Sequence, residues 1–211
     1  MGSLLTTPVV QITPDATQRF IARHPTSQAQ HDAVLSALAC TCAELLGLET
    51  LRVLLETQGR VPLEGPAPLQ AVGSFAASFP IRIGRDDRQP ARLRALIDAA
   101  PRFGLSFHLL KYACEDAEVS AVMHALPVPE AAFSYRGRWL DFYREDSAFP
   151  VLARSVLGEP PASPQCMPAL NLVAGLEGGR LWSYLIFDSS ICNEDLAGRL
   201  LASLSQRVSA A

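Results

Sequence analysis

Between Leu51 and Ile83 the chain reads LRVLLETQGRVPLEGPAPLQAVGSFAASFPIRI, two apolar runs on either side of a proline-rich loop. Apolar runs of this length bounded by Gly and Pro predict buried strands, the first over Leu51–Leu55 and the second closed by Phe79-Pro80. The first run ends directly on a carboxylate, Glu56, with Gly59-Arg60 just beyond it. The join between two buried strands is where such a sheet exposes polar groups, so the role of Glu56 is the functional question.

The other apolar runs set the size of the fold. With 211 residues and 49% hydrophobic side chains, the chain is long enough to bury about 70% of its unfolded surface without covalent staples. Net charge is −3, and the sequence holds no basic cluster, which argues against nucleic acid or a membrane surface as a partner. No apolar run approaches the ~18 residues of a membrane span, and MGSLLTTPVVQ lacks the basic, apolar pattern of a secretory leader. The five cysteines, Cys40, Cys42, Cys114, Cys166 and Cys192, are odd in number and scattered, as expected of reduced thiols in the cytoplasm.

Along the chain, Thr13-Pro14-Asp15 predicts a short helix to about Arg23, ended by Pro25. Residues 1–25 are expected to form a helical lead-in, and 26–211 the main domain. Thr26 or Ser27 caps a longer helix to Leu46, stopped by Gly47, with Val34, Leu35, Leu38, Cys42, Leu45 and Leu46 on one stripe. Further helices are expected over Pro90–Ala100, Leu105–Ala113 and Glu115–Leu126, and a strand over Ala131–Tyr135. The proline-rich segment from Asp141 to Pro164 reads as a long irregular loop. Met167–Leu176 and Arg180–Asp188 predict two strands joined by the turn Glu177-Gly178-Gly179. Both faces of that hairpin are apolar, so it belongs inside a covered sheet. Asn193 caps a last helix lined by Leu196, Leu200, Leu204 and Val208. The pattern is α/β, a mixed sheet covered by helices.

Few residues form a chemical constellation. His24, His31, His108 and His124 fall into no metal-binding spacing, and each reads as a surface or packed residue. The chain has no nucleophile elbow, P-loop or dinucleotide fingerprint. Glu56 stands apart, because a carboxylate desolvated at a strand end can trade protons near neutral pH. The structural alternative is a salt bridge to Arg60 or to another strand-end arginine, and the residues alone leave both readings open.

Taken in order, HDAVLSALA, LLETQGRVP, VGSFAASFPIRI, FGLSFHLLKY, AAFSYRGRW and ALNLVAGLEGGRLWSYLIFDSS resemble the C-terminal half of the condensation and epimerization domains of nonribosomal peptide synthetases. The epimerization signature E-G-H-G-R-E is similar to Glu56-Thr57-Gln58-Gly59-Arg60-Val61, and V-G-W-F-T to Val72-Gly73-Ser74-Phe75-Ala76. The resemblance implies a chloramphenicol-acetyltransferase-like half-domain, one wall of a channel that admits the phosphopantetheine arm of a carrier protein. It implies no cofactor bound directly and no metal. It makes Glu56 the catalytic carboxylate, a base for the α-proton of a thioester, with Gln58, Arg60, Ser74, Phe75, Ser78 and Tyr135 lining the substrate channel. The family's H-H-x-x-x-D-G motif is absent, as are the signature's first Gly, its His and its last Glu. The implied partner is therefore a separate N-terminal half bearing that motif, or a second copy of this chain acting as a non-catalytic scaffold or carrier-protein-binding module.

Overall fold

The computed structural model describes residues 4–60, 70–73, 75–138 and 168–210. Ser74, Cys166, Met167 and the loop expected between Asp141 and Pro164 lie outside them. The described chain runs β1 (Leu4–Thr6), β2 (Val10–Gln11), α1 (Pro14–Arg23), α2 (Ser27–Leu46), β3 (Leu51–Thr57), β4 (Ala77–Ile83), α3 (Pro90–Asp98), α4 (Ser106–Tyr112), α5 (Ala117–Ala125), β5 (Ala131–Tyr135), β6 (Leu170–Glu177), β7 (Arg180–Asp188) and α6 (Glu194–Ala210). Short 3₁₀ turns at Arg85–Asp87 and Pro101–Gly104 flank α3.

Local chemistry sets most helix starts. Thr13 Oγ1 accepts from the Ala16 N–H at 3.4 Å, Thr26 Oγ1 from Ala29 at 3.1 Å, and Asn193 Oδ1 from Leu196 at 2.8 Å. Each bond satisfies an amide that a helix N-terminus leaves without a partner. The strands form one mixed sheet in the order β1-β7-β6-β5-β3-β4, with β2 also paired to β7. β3 lies parallel to β5 and β5 to β6, while the other pairs are antiparallel.

Three details differ from the sequence expectations. The N-terminal lead-in is not purely helical, because β1 and β2 pair with β7 and belong to the sheet. β3 runs two residues further than Leu55, so Glu56 lies inside the strand. Pro80 does not close a strand but sits within β4, paired in register with Leu54. β4 is the last strand of the sheet order, and a strand edge tolerates a residue without an N–H.

Side-chain alternation separates the two faces of the sheet. Val53, Leu55, Phe133, Leu172, Leu185 and Phe187 are buried in one cluster with Val34, Leu35 and Leu38 of α2 and Leu200 and Leu204 of α6. Burying one such side chain completely contributes about 1.5–3 kcal/mol, so this layer holds the helices on the sheet. The second face carries its own buried group, Val173, Trp182 and Tyr184, with Ile186 packed against it. The β6–β7 hairpin is thus covered on both sides, as its two apolar faces predict. Among the described residues no helix is long and apolar enough to cross a membrane.

Candidate functional site

The register across β4, β3, β5 and β6 places a set of polar side chains on the second face. Glu56 lies directly opposite Ser78, Leu54 is level with Ala132, and Ala132 with Asn171. Two residues further along β5, Ser134 shares their side. Together with Ala76 and His108 these residues line an open groove of about 370 Å³. The face opposite carries α1, α2 and α6, so the groove lies on the side of the sheet away from the main helical layer.

Glu56 is not desolvated as a buried strand end would be, since its side chain is 39% exposed. The strand-end arginine that meets it is Arg136, just past β5, with Nη1 at 3.6 Å from Oε1. Arg60 is engaged elsewhere. Its guanidinium donates to the carbonyls of Ala71 at 2.8 Å and Gly73 at 3.3 Å and lies 4.4 Å above the Phe75 ring. Arg60 and Phe75 therefore brace the rim segment as a cation–π pair. Gln58 follows β3 directly and is exposed.

Gly59 shows why the turn after β3 needs glycine. Its φ is +61°, and a Cβ there would stand 1.7 Å from the Phe75 carbonyl oxygen. No side chain fits that approach, so the contact between the two rim segments depends on the bare backbone.

Of the channel residues expected from the sequence, Glu56 and Ser78 line the groove, whereas Gln58, Arg60 and Phe75 belong to the segments between β3 and β4. Tyr135 does not join them. Ala131, Phe133 and Tyr135 alternate onto the helix-covered face, where the Tyr135 hydroxyl donates to Gln30 Oε1 of α2 at 2.9 Å. Tyr135 is a packing residue, and its expected place in the channel is corrected. Its burial pushes the phenol pKa well above the ordinary value.

A residue the sequence reading set aside lies in the groove instead. His108 of α4 reaches over the β4 edge, and its Nε2 is 2.8 Å from Ser78 Oγ. Tyr112 stacks on the ring with centroids 5.7 Å apart, and Phe107 meets it edge-on at 5.4 Å. The signal was present in FGLSFHLLKY, but no spacing in the sequence links a helix residue at 108 to strand residues at 56 and 78. Arg136 is a strand-end arginine of the kind the sequence allowed as a partner for Glu56, but nothing in the sequence singles it out, because the pair exists only through parallel pairing of β3 with β5. Among the described residues no cluster of His, Cys, Asp or Glu could hold a metal ion.

This arrangement can bind a polar acyl group and exchange protons with it: a carboxylate, a hydroxyl and an imidazole face one open space, with a guanidinium beside the carboxylate.

No family model matches the chain. One protein of the linear gramicidin synthase of Brevibacillus parabrevis is 23% identical over 171 residues, which is 78% of this chain and 2% of that protein. Another protein of the same synthase is 30% identical over 115 residues, 52% of this chain and again 2% of the relative. Among solved structures, the epimerization domain from the third module of tyrocidine synthetase B superposes with a TM-score of 0.74 at 17% identity, over 98% of this chain and 47% of that one. The condensation domain from Monacolin K polyketide synthase gives 0.64, also at 17% identity, over 99% and 47%. The fold is a chloramphenicol-acetyltransferase-like α/β half-domain, a mixed sheet with six helices among the described residues. It is the fold of condensation and epimerization domains of nonribosomal peptide synthetases, and the chain spans about half the length of one such domain.

Proposed function

We propose that this chain forms one wall of a channel in which acyl thioesters carried on a phosphopantetheine arm are processed during peptide assembly. In this reading it corresponds to the C-terminal half of a condensation or epimerization domain. The opposite wall comes from a separate half that bears the H-H-x-x-x-D-G motif. The observation that carries the proposal is the groove floored by Glu56, Ser78 and Asn171 on the sheet face away from α1, α2 and α6. A mating half laid on that face would enclose the groove and exclude water from it, which strengthens every polar interaction inside.

The test is to mix the purified chain with an H-H-x-x-x-D-G-bearing half and a carrier protein loaded with an aminoacyl thioester. A one-to-one complex of the two halves that binds the loaded carrier is the expected result. Absence of both the complex and any binding of the thioester would sink the proposal. A second reading, a homodimeric scaffold that only binds carrier protein, draws support from the exposed Gln58, where the resembling signature has histidine. That reading expects a dimer of this chain and no change in thioester chemistry on adding the other half.

A further inference from the structure

Ser78 and His108 form a chemical pair of their own at the β4 edge of the groove, which both line. Ser78 Oγ lies 2.8 Å from His108 Nε2, within the reach of about 2.6–3.2 Å that joins a nucleophile to its base. Packing orients the imidazole: Tyr112, one turn further along α4, stacks on it at 27° with centroids 5.7 Å apart. Among the described residues no carboxylate is hydrogen-bonded to the ring, so the pair is a dyad. His108 is exposed and Ser78 half-buried, so water would satisfy either group as well as the other does. Stability alone does not call for this contact.

The backbone adds a donor beside the hydroxyl. Along an antiparallel ladder, residues alternate between turning their amides toward the partner strand and turning them away. Thr57 Oγ1 donates to the Ala77 carbonyl at 3.3 Å, and the Phe75 carbonyl approaches Gly59, so residues 75 and 77 face β3. Pro80, which has no N–H to give, has the other phase, and Ser78 shares it. The Ser78 N–H therefore points off the outer edge of β4, the last strand of the sheet, next to its own hydroxyl.

We infer that Ser78 and His108 are a nucleophile and its general base, which hydrolyse acyl thioesters by way of an acyl-serine. The inference rests on the reading that the groove takes such thioesters and adds a covalent step to it. Ser78 Oγ attacks the carbonyl carbon while His108 Nε2 takes the hydroxyl proton. The Ser78 N–H donates to the oxyanion that forms. Collapse of this intermediate breaks the C–S bond, and the imidazolium gives its proton to the leaving sulfur. A free thiol departs, and the acyl group remains as an ester on Oγ. Water then attacks the ester, His108 takes a proton from it, and that proton passes to Ser78 Oγ as the C–O bond breaks. The sum is thioester plus water to carboxylic acid plus thiol, with nothing oxidised or reduced. The groove is open on this chain, so water reaches the acyl-serine.

The experiment treats the full chain with diisopropyl fluorophosphate, which labels activated serines, and maps the label by peptide mass spectrometry. In parallel, hydrolysis of an aminoacyl pantetheine thioester is followed by chromatography, and its binding by line broadening of its proton signals. Label on Ser78 and hydrolysis faster than in buffer are the expected results. Ser78→Ala should return hydrolysis to the buffer rate, and His108→Gln should slow both reactions about 100-fold, in line with what a positioned base supplies. His108 is exposed, so the glutamine variant should fold, and its circular dichroism spectrum checks this. Added imidazole should restore part of the labelling to His108→Ala, a rescue that a structural role for the ring would not give. Thioester binding with no label on Ser78, or with hydrolysis that Ser78→Ala leaves unchanged, would overturn the inference while leaving the proposed function intact. If the chain does not bind the thioester at all, the proposed function fails and the inference with it.

Discussion

Asp32 of α2 receives two hydrogen bonds from Arg94 of α3, at 2.9 Å to Oδ2 and 2.6 Å to Oδ1, and its Oδ1 also lies 2.9 Å from Nδ1 of His31. The Asp32 side chain is 6% exposed, and Leu93 and Ile97 of α3 are buried on either side of Arg94. This contact fastens α3, and with it the turn that leaves β4, onto the central helix. Asp32→Asn should cost about 2–3 kcal/mol, somewhat below the usual cost of breaking a fully buried ion pair, because Arg94 is a quarter exposed and keeps Asp98 at 3.3 Å. Urea denaturation at pH 7 would measure it.

The same contact predicts a pH dependence. Burial alone would raise the Asp32 pKa, but the hydrogen bonds from His31 and Arg94 and the Arg94 charge outweigh it and hold the carboxyl below its ordinary value. A carboxyl lowered in the folded state adds stability that is complete above its unfolded pKa of about 4. That stability is lost as pH falls from there through the folded value. Denaturation midpoints should therefore drop as the pH is lowered below about 4, and the drop should be smaller in Asp32→Asn.

Much of this fold was legible because local rules and tertiary contacts agree. Thr13, Thr26 and Asn193 mark helix starts, and Ala131–Tyr135 and Arg180–Asp188 are strands over the residues expected. β1 and β2 were missed because strands of three and two residues carry no periodicity, and only pairing with β7 makes them strands. The site was legible only where the chain is continuous. Glu56 stood out as a polar residue at the end of an apolar run, but its partners Ser78, His108 and Arg136 reach it through strand register and the packing of α4 on β4. Tyr135 failed for the same reason. A one-residue change of phase along β5 decides between the groove and the helical layer, and Ser134 has the phase that Tyr135 lacks.

Tyr135 on the helical side yields a test of that assignment. Its hydroxyl donates to Gln30 Oε1, while Gln30 Nε2 donates to the His24 carbonyl at 2.9 Å, so one side chain links α1, α2 and β5. Tyr135→Phe should cost about 1 kcal/mol and leave thioester binding unchanged. Because burial raises the phenol pKa in the folded state, the folded chain binds the proton more tightly, and stability falls as pH rises past the unfolded value of about 10. Tyr135→Phe should flatten part of that alkaline fall in a series of thermal melts.

Gly104 sets the distance between α4 and β4. Its φ is +78°, and a Cβ would stand 2.0 Å from Cδ1 of Phe79, a buried ring. Gly104→Ala combines left-handed strain with overpacking, about 2–4 kcal/mol in all. The relief available is to move α4 away from β4, which would part His108 from Ser78. The variant should melt earlier and show altered amide signals at Ser78 and His108 in a heteronuclear NMR spectrum, with those of α6 unmoved.

Ala132 offers the most direct test of what the groove is for. It is half-buried at the groove floor, level with Leu54 on one side and Asn171 on the other. A larger side chain there projects into open space, and an aromatic ring suits a strand position, so Ala132→Phe should shift the melting temperature by only a few degrees. The ring would fill much of a 370 Å³ groove and block access to Glu56 and Ser78. If a thioester occupies the groove, its binding should weaken at least tenfold, and Ala132→Ser, which adds a single oxygen, should bind nearly as well as the unaltered chain. If the chain only docks carrier protein by its outer surface, neither substitution should change binding of the loaded carrier. The two variants therefore separate a channel wall from a scaffold in a titration that needs no knowledge of the natural acyl group.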